Sequence, residues 1–346
     1  MKILLVSPWF FPNYERGGTA VAATNFARGL AKHGANLTVL TTNNYAKQKY
    51  RNKKIILDNL KVIVKNPFFK MMPRSEAFSL NFAIYFTKIC SNFDIIYIHG
   101  SRNLYTILAL FLKKLGFIKK IVSVPHGSYT SDWNTKFGSI ILKKFVNFFI
   151  EKYYVRNIDA IQYLSQKELN DCIFKEFISN SFVIPNGLFR INNLKEVKYF
   201  KLPIRLIFVG RINPQKNLAN IVRACSFFSK DQLELDIFGP IDDIKYFQTL
   251  NLSSYENINY LAFIRNEILF EKLYNYNFGI LCSFAEGISL FLLEGLQRGL
   301  PFIVSSGIGN FQLISDYKAG FVIHYPNVTN IHRQLKIIIS KGYNNT

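Results

Sequence analysis

The sequence predicts an α/β protein with two doubly wound, Rossmann-like domains, on three observations. The chain has 346 residues, more than twice the length of a typical domain. Short apolar segments alternate with helix-length segments from one end to the other, as in parallel sheets whose strands are joined by helices. The sequence Pro185-Asn186-Gly187 separates two such series. We therefore predict a first domain at residues 1–185, a polar linker at 186–203 and a second domain at 204–346.

The first domain opens with a strand-helix-strand unit. A strand over residues 2–6 leads through a long loop to Gly17 and Gly18, and a helix over 20–32 then leads to a strand over 37–41. Two glycines in front of a helix allow the backbone to approach a ligand closely. Neither the G-x-G-x-x-G pattern nor the P-loop pattern occurs in the sequence, which disfavours the dinucleotide-binding and ATP-binding classes.

Two later strands of this domain, residues 94–98 and 120–125, are each followed by a His-Gly pair. His99 and His126 are therefore expected at the carboxyl ends of parallel strands, where ligands of such sheets bind. An imidazole there can donate or accept a hydrogen bond near neutral pH. A purely structural histidine is the alternative at each position.

A basic, aromatic and amphipathic helix is predicted over residues 136–156. Together with Lys113-Lys114 and Lys119-Lys120, its Lys143-Lys144 pair would form a face for anionic lipid headgroups. The alternative is an ordinary helix whose apolar side packs on the sheet and whose lysines lie in water.

The second domain restarts with a strand over residues 205–209, followed by Gly210, Arg211 and Lys216 at the entrance of a helix. An arginine can bind two phosphate oxygens at once and a lysine adds a mobile point charge, so this pair suits a diphosphate. Surface charge without a ligand is the alternative. Further strands follow at 233–238 and 258–261.

Two carboxylates flank the next strand-to-helix junction. Glu286 lies in a polar turn after a strand over 278–282, and Glu294 lies eight positions later inside the helix. Both are expected near the carboxyl end of the strand, where carboxylates would accept hydrogen bonds from a polyol ligand. The free N–H groups at the helix start would suit an anion. A helix-capping Glu and a solvated Glu are the alternative.

The net charge of +21 is concentrated in the first domain. Residues 1–185 carry 26 Lys and Arg against 10 Asp and Glu, a net charge of +16, which leaves +5 for the rest. This asymmetry favours an anionic partner: a nucleic acid, a phosphorylated substrate or a membrane surface. A lysine-rich composition that serves only solubility is the alternative.

The cysteines and the hydropathy pattern bear on the compartment. The four cysteines show no close pairing, which predicts free thiols in a reducing environment. No apolar run approaches the ~20 residues that cross a bilayer. The first apolar segment is too short for a signal peptide. We expect a cytoplasmic protein, and the basic first domain favours a peripheral position on the inner face of the cytoplasmic membrane.

Several of these motifs resemble those of one family. The pair Glu286-x7-Glu294 resembles the E-x7-E signature of family-4 retaining glycosyltransferases of the GT-B fold. Gly210-Arg211-x4-Lys216 resembles the family's G-R-x4-K motif, and the glycine pair before the first helix resembles its opening. The resemblance covers nearly the whole chain, and it implies two Rossmann-like domains that face each other across a cleft.

The resemblance also implies roles for particular residues. Glu286 and His126 would position the donor sugar, Arg211 and Lys216 would hold the donor diphosphate, and Glu294 would bind the ribose. His126 matches the family's histidine better than His99 does. The other donor-binding positions would be Gly17, Gly18, Phe263, Ile264, Gly287, Ile288 and Ser289.

The sequence departs from the family pattern in three ways. The acidic residue that is usual two places after the glycine of Pro-Asn-Gly is absent, since Leu188 and Phe189 follow there. Ala262 replaces a usual glycine, and Gln312 replaces a frequent glutamate. Glutamine keeps hydrogen-bonding capacity and loses the charge, so the last change is expected to alter sugar specificity.

The implied reaction is transfer of a sugar from a nucleotide-diphosphate donor, a UDP-sugar in preference to a GDP-sugar, to a saccharide acceptor. The charge of the first domain favours a lipid-linked acceptor of surface-polysaccharide assembly. No Asp-x-Asp motif or metal-ligand spacing occurs in the sequence, so no metal or other cofactor is expected. A nucleotide-sugar epimerase of the same fold and a non-catalytic sugar-nucleotide-binding subunit remain alternatives. A nucleic-acid-binding protein would leave the paired glutamates unexplained.

Overall fold

A computed structural model gives the structure of the protein and describes residues 1–11, 18–42, 54–58, 60–65, 80–101, 104–130, 141–191, 201–264 and 266–341. The chain forms two compact units, Met1–Phe189 and Arg190–Thr346. We call them the first and the second unit.

The first unit is built on a sheet whose eight described strands are rich in Ile, Val and Leu. Their order across the sheet is β3-β4-β2-β1-β5-β6-β7-β8. All neighbours pair in parallel except β3 and β4, which are antiparallel. The strands are β1 Lys2–Val6, β2 Asn36–Thr42, β3 Lys54–Leu57, β4 Leu60–Lys65, β5 Ile95–His99, β6 Ile121–Val124, β7 Ala160–Tyr163 and β8 Ser181–Val183.

Helices cover this sheet and close its core. Phe82 and Tyr105, from two of the helices, are buried with their rings 4.7 Å apart, and they share a core with Leu4 and Ile98 of the sheet. The helices described in this unit are α1 Gly18–Lys32, α2 Leu80–Ile89, α3 Leu104–Lys114, α4 Ile141–Asn157 and α5 Gln166–Asn170.

The second unit contains a wholly parallel sheet of six described strands in the order β11-β10-β9-β12-β13-β14. The strands are β9 Ile204–Val209, β10 Leu233–Phe238, β11 Ile258–Tyr260, β12 Phe278–Leu281, β13 Phe302–Ser305 and β14 Gly320–Ile323. The helices described here are α6 Leu218–Cys225, α7 Ile244–Thr249, α8 Asn266–Lys272, α9 Leu290–Leu296, α10 Gln312–Asp316 and α11 Val328–Lys341.

The order of the second sheet reverses at one place. From β9 the chain runs outward through β10 and β11, and it then returns to pair β12 with the other side of β9. Ligands of open α/β sheets bind outside the carboxyl ends of the strands at such a switch point. The loops that follow β9 and β12 therefore lie side by side at the position where a ligand is expected.

The predicted fold class is confirmed, since each unit is a sheet of mainly parallel strands with helices. The helix predicted over residues 136–156 is observed as α4, and residues 136–140 lie outside the described part of the chain. In the second half of α4 the side chains of Glu151, Tyr154 and Val155 are buried while Tyr153 is exposed. The side chains of Lys143 and Lys144 lie outside the described residues.

Candidate active site

The loop after β9 carries the first predicted cation. Arg211 Nη1 donates a hydrogen bond to Asp242 Oδ2 over 3.0 Å, and Asn213 Nδ2 donates to the same oxygen over 3.2 Å. Both charged side chains are partly exposed. A guanidinium has five N–H donors, so this single ion pair leaves Arg211 able to bind further oxygens.

Close contact between the loops after β9 and β10 depends on a glycine. Gly239 has a φ of +143°, and a Cβ there would lie 1.9 Å from the carbonyl oxygen of Gly210. A side chain at position 239 would therefore push apart the two loops that present Arg211 and Asp242.

The second predicted cation, Lys216, binds one of the two predicted carboxylates directly. Lys216 Nζ lies 2.7 Å from Glu286 Oε1, and Ser283 Oγ donates to Glu286 Oε2 over 3.1 Å. Both members of the ion pair are largely buried. Sequence reasoning assigned Lys216 to the diphosphate and Glu286 to the sugar as separate roles. The structure brings the two groups together as partners, because they lie on loops that follow adjacent strands.

Lys216 is held by its neighbours in sequence. It ends a short 3₁₀ helix, Pro214–Lys216, which Asn213 caps by accepting a hydrogen bond from Lys216 N over 3.3 Å. Asn217 is buried in the left-handed conformation, with a φ of 57°, and its Nδ2 donates to the carbonyl of Cys282 over 2.9 Å. The loop after β9 is thereby tied to the end of β12.

A second tie joins the two loops through Gln215. Its side-chain Nε2 donates to the backbone carbonyl of Ala285 over 2.7 Å, and the backbone carbonyl of Gln215 accepts from Phe284 N over 3.0 Å. Sequence reasoning missed both Asn217 and Gln215. Their side chains serve the backbone of a distant loop, and no local pattern reveals such a contact.

The loop after β13 supports Glu286 from the other side. Glu286 N donates to Gly307 O over 3.0 Å, and Glu286 O accepts from Gly309 N over 2.8 Å. A Cβ at Gly307 would lie 2.5 Å from the carbonyl oxygens of Ser283 and Phe284. The backbone of Glu286 is therefore fixed by a contact that only glycine permits.

Helix α9 begins immediately after the loop that follows β12 and carries Glu286. Ser289 is its N-cap and its Oγ accepts from Leu292 N over 3.4 Å, while Ser289 N donates to Asn310 Oδ1 over 3.2 Å. The expectation that the first N–H groups of this helix serve an anion is wrong for these two groups, because protein oxygens already bind them. Gly287 and Ile288 lie in the partly buried turn that precedes the helix.

Glu294 lies inside α9 and is buried. Burial raises the pKa of its carboxyl to about 7, and the positive charge of Arg298 opposes this shift. Arg298 itself donates to the backbone carbonyl of Glu294 over 2.8 Å and lies on the ring of Phe270. Within the described residues no donor hydrogen-bonds the carboxyl of Glu294. A buried carboxyl without a donor is costly, and a ligand's hydroxyl groups would satisfy it.

The two positions predicted to border the nucleobase differ in solvent exposure. Phe263 is half exposed, and Ile264 packs partly buried against the core. Ala262 has a φ of 58° and accepts a hydrogen bond from Gly239 N over 3.0 Å. The left-handed conformation explains why glycine suits position 262, and alanine retains it here. Gln312 is exposed at the start of α10.

The described positions predicted in the first unit lie at the end of β5, in the loop after β6 and at the start of α1. His126 follows β6 with a φ of 52°, and its Nε2 lies 3.1 Å from Nδ1 of His99 at the end of β5. Burial lowers the pKa of His126 to about 4 and also lowers the pKa of His99. Both rings are therefore neutral near pH 7. Gly18 is the first residue of α1, and Gly17 lies outside the described residues.

The described part of the chain holds no cluster of three or more His, Cys, Asp or Glu side chains that could hold a metal ion. The cysteines Cys90, Cys172, Cys225 and Cys282 are buried free thiols. None of the described helices combines the length and the hydropathy that crossing a bilayer needs.

Two family descriptions match the chain, one on each unit. Residues 16–188 match "Glycosyltransferase Family 4". Residues 190–345 match "Glycosyl transferases group 1".

The chain is also similar to individual proteins. An Escherichia coli protein, UDP-Gal:alpha-D-GlcNAc-diphosphoundecaprenol alpha-1,3-galactosyltransferase, is 26% identical over 68% of this chain and 64% of its own. The structure of sucrose-phosphate synthase from Thermosynechococcus elongatus covers 99% of this chain and 90% of its own with a TM-score of 0.75 and 15% identity. The structure of HepE from Anabaena in complex with UDP-glucose aligns with 98% of this chain over 90% of its own length. Its TM-score is 0.71 and its sequence identity is 13%. These two structural likenesses confirm the GT-B fold.

Proposed function

Because the chain belongs to glycosyltransferase family 4, we propose that it transfers a sugar, with retention and without a metal ion, from a nucleotide-diphosphate donor to a saccharide acceptor. One observation carries the proposal. The loops at the switch point of the second unit gather two cations, Arg211 and Lys216, with the carboxylate of Glu286. This set offers donors for a diphosphate beside acceptors for a polyol, the two halves of a nucleotide sugar.

The donor would bind to Lys216 and Glu286 while these two side chains remain paired with each other. An ammonium has three donors and a carboxylate has several acceptor sites, so the pair can bind ligand without separating. The donor diphosphate would accept hydrogen bonds from the remaining N–H groups of Lys216 and from the guanidinium of Arg211. The sugar hydroxyls would donate to Glu286, and the ribose hydroxyls would donate to Glu294.

The reaction would proceed on one face of the sugar. The bond between the anomeric carbon and the phosphate oxygen breaks, the acceptor oxygen bonds to the same carbon, and the acceptor proton passes to the leaving phosphate. Arg211 and Lys216 stabilise the negative charge that develops on the nucleotide diphosphate, which is the charge that a metal ion would otherwise neutralise. The neutral ring of His126 would hold the sugar by a hydrogen bond, since its low pKa prevents it from acting as a cation.

A UDP-sugar is the preferred donor in this proposal. The Escherichia coli relative is named as an enzyme of UDP-Gal, and the Anabaena structure contains UDP-glucose. Phe263, half exposed after β11, is the side chain available to stack on the base.

The acceptor is proposed to be a lipid-linked saccharide of surface-polysaccharide synthesis, as in the name of the Escherichia coli relative. The first unit offers a surface for the lipid side. Ile107, Phe111 and Leu115 follow one another at four-residue spacing along α3 and its end, and all three are exposed. Lys114 lies 4.5 Å from the ring centre of Tyr153 on α4. An apolar row beside lysines suits an anionic bilayer interface.

Vesicle co-sedimentation tests this surface. The wild type should bind vesicles that contain phosphatidylglycerol and should not bind pure phosphatidylcholine. The double variant F111S/L115S should lose binding, whereas Ile337→Ser, at an exposed isoleucine of the second unit, should keep it. Equal binding by all three proteins, or none by the wild type, would remove the membrane surface from the proposal.

Product analysis tests the reaction itself. The protein is incubated with UDP-sugars and a lipid-linked or short synthetic saccharide acceptor, and the anomeric configuration of the product is read by NMR. Retention is expected, and activity should survive a chelator of divalent ions. An inverted product or chelator-sensitive activity would contradict the mechanism. Conversion of a UDP-sugar without any acceptor would favour an epimerase, and donor binding with no conversion would favour a non-catalytic subunit.

A further inference from the structure

Glu168 is a buried carboxylate that binds the backbone next to His126. The sequence Ser165-x-x-Glu168 has the pattern of a capping box, in which the Glu side chain would return to the backbone N–H of Ser165. Ser165 does accept a hydrogen bond from Glu168 N over 3.1 Å. The carboxylate of Glu168 instead accepts from Gly127 N with one oxygen and from Leu164 N over 2.8 Å with the other.

The backbone that Glu168 holds is in an uncommon conformation. His126 has a φ of 52°, in the left-handed region that non-glycine residues avoid. Such conformations persist where the surrounding structure fixes them. The hydrogen bond from the next N–H, that of Gly127, to a carboxylate with 2% exposure supplies this restraint. It also joins the loop after β6 to α5, the helix that follows β7.

His99 binds the ring of the same residue. It is 2% exposed, its ring packs against Phe26 at 5.3 Å, and its Nδ1 lies 3.1 Å from His126 Nε2. Because both rings are neutral near pH 7, one nitrogen of the pair donates and the other accepts. Nε2 of His99 is buried and has no partner in the described residues.

The unpartnered nitrogen of His99 decides which tautomer is present. A buried N–H without an acceptor is rarer in proteins than a buried acceptor without a donor. This preference favours the tautomer of His99 that carries its proton on Nδ1 and donates it to His126 Nε2. His126 must then carry its own proton on Nδ1, because its Nε2 is the acceptor. His126 is thereby left with one defined N–H donor.

We propose that His99 and Glu168 are positioning residues for His126. Glu168 holds the left-handed turn that carries the ring, and His99 fixes the ring's Nδ1–H tautomer. That donor is then available for a hydroxyl oxygen of the sugar. The inference rests on the proposed role of His126 at the donor sugar, and the tautomer itself can be measured without any substrate.

The tautomer is tested by long-range ¹H–¹⁵N correlation spectra of the full-length protein labelled on histidine nitrogen. The wild type should show His126 protonated on Nδ1 with an unprotonated Nε2. His99→Phe removes the donor while it keeps a ring of similar size, so His126 should lose this preference. The exposed His33 provides the control variant His33→Gln, which should leave the His126 signals unchanged. Protonation of wild-type His126 on Nε2 would overturn the tautomer assignment.

Kinetics test the positioning role. Misplacing a group at the reacting centre costs about 10- to 100-fold in rate, so His99→Phe and Glu168→Gln should lower kcat by that factor. Affinity for UDP should stay within about twofold, because its predicted contacts lie in the second unit. Glu176→Gln, at an exposed glutamate of the same unit, should keep the wild-type kcat. His99→Gln, which retains a hydrogen-bonding group, should recover part of the activity that His99→Phe loses.

The outcomes separate this inference from the proposed function. Wild-type kcat in Glu168→Gln and His99→Phe, with melting temperatures close to that of the wild type, would overturn the positioning role. If the wild-type protein has no transferase activity, the proposed function is contradicted instead, and the NMR spectra still determine the tautomer of His126. If Glu168→Gln fails to fold, His99→Phe carries the kinetic comparison alone.

Discussion

Lys216 and Glu286 form a largely buried ion pair, with Nζ and Oε1 2.7 Å apart, although seventy residues separate them in sequence. The pair joins the loops that follow two adjacent parallel strands, β9 and β12. A buried pair is costly to break by removing one partner, since the other charge is left without compensation. Each of the two charged groups therefore stabilises the other in the folded protein, in addition to binding the ligand groups proposed for it.

The proposed division of ligand groups, with the diphosphate on Lys216 and the sugar on Glu286, predicts different binding and activity for the two single variants. Lys216→Met should lower the free energy of unfolding by about 3 kcal/mol and abolish UDP binding. Glu286→Gln should keep UDP affinity within about threefold while transfer falls by about 10²- to 10³-fold. Urea denaturation and calorimetric titration measure these effects. Lys230→Met, at an exposed lysine, is the control, and a Glu286→Gln variant that loses UDP binding would contradict the division of roles.

Asp242 is expected to compete with the donor for Arg211. Its carboxylate accepts a hydrogen bond from the guanidinium over 3.0 Å, and a diphosphate would repel it. An exposed pair of this kind is worth little. Asp242→Asn should therefore tighten UDP binding by only about two- to fivefold, and the gain should shrink as salt is raised. Weaker binding in this variant would mean that Asp242 orients Arg211 for the ligand.

Glu294 should show a conflict between stability and binding. Its folded pKa, about 7, lies above the ordinary 4.5, so its contribution to stability is complete below pH 4.5 and is lost as the pH rises through 7. Glu294→Gln removes the charge and should raise the free energy of unfolding at pH 8 by up to about 3 kcal/mol, with little change at pH 4.5. UDP affinity should fall at both values. Equal effects in the exposed control Glu256→Gln would contradict the assignment.

Ala262 offers a test that involves stability alone. Its φ of 58° costs an L-residue about 1–2 kcal/mol, and glycine avoids this cost at the expense of greater freedom in the unfolded chain. Ala262→Gly should therefore stabilise the second unit by about 0.5–1 kcal/mol. Ala319→Gly should destabilise it, because its φ is not positive. Thermal denaturation distinguishes the two outcomes.

Much of this molecule can be predicted from its sequence. Alternating apolar and helical segments are enough for two parallel sheets, and the short motifs around Arg211, Lys216 and Glu286 locate the loops at the switch point. These signals are local, or they combine into a known family pattern. The position of Glu294 inside a helix follows from the same periodicity.

The supporting residues could not be predicted in this way. Glu168 has the sequence pattern of a helix cap, and only the structure shows its carboxylate on Gly127, forty-one residues away. Asn217 and Asn310 likewise act on distant backbone. Such contacts depend on which loops the folded sheet brings together, and a single sequence carries no record of that.

Calorimetric titration of UDP into the wild type and Glu294→Gln tests the central claim most directly, because the claim places the nucleotide at the switch point of the second unit. The account predicts one UDP site with affinity in the micromolar range, roughly −8 kcal/mol, and a loss of at least tenfold in Glu294→Gln with none in Glu256→Gln. Equal UDP binding by all three proteins, or no nucleoside diphosphate bound by the wild type, would contradict it.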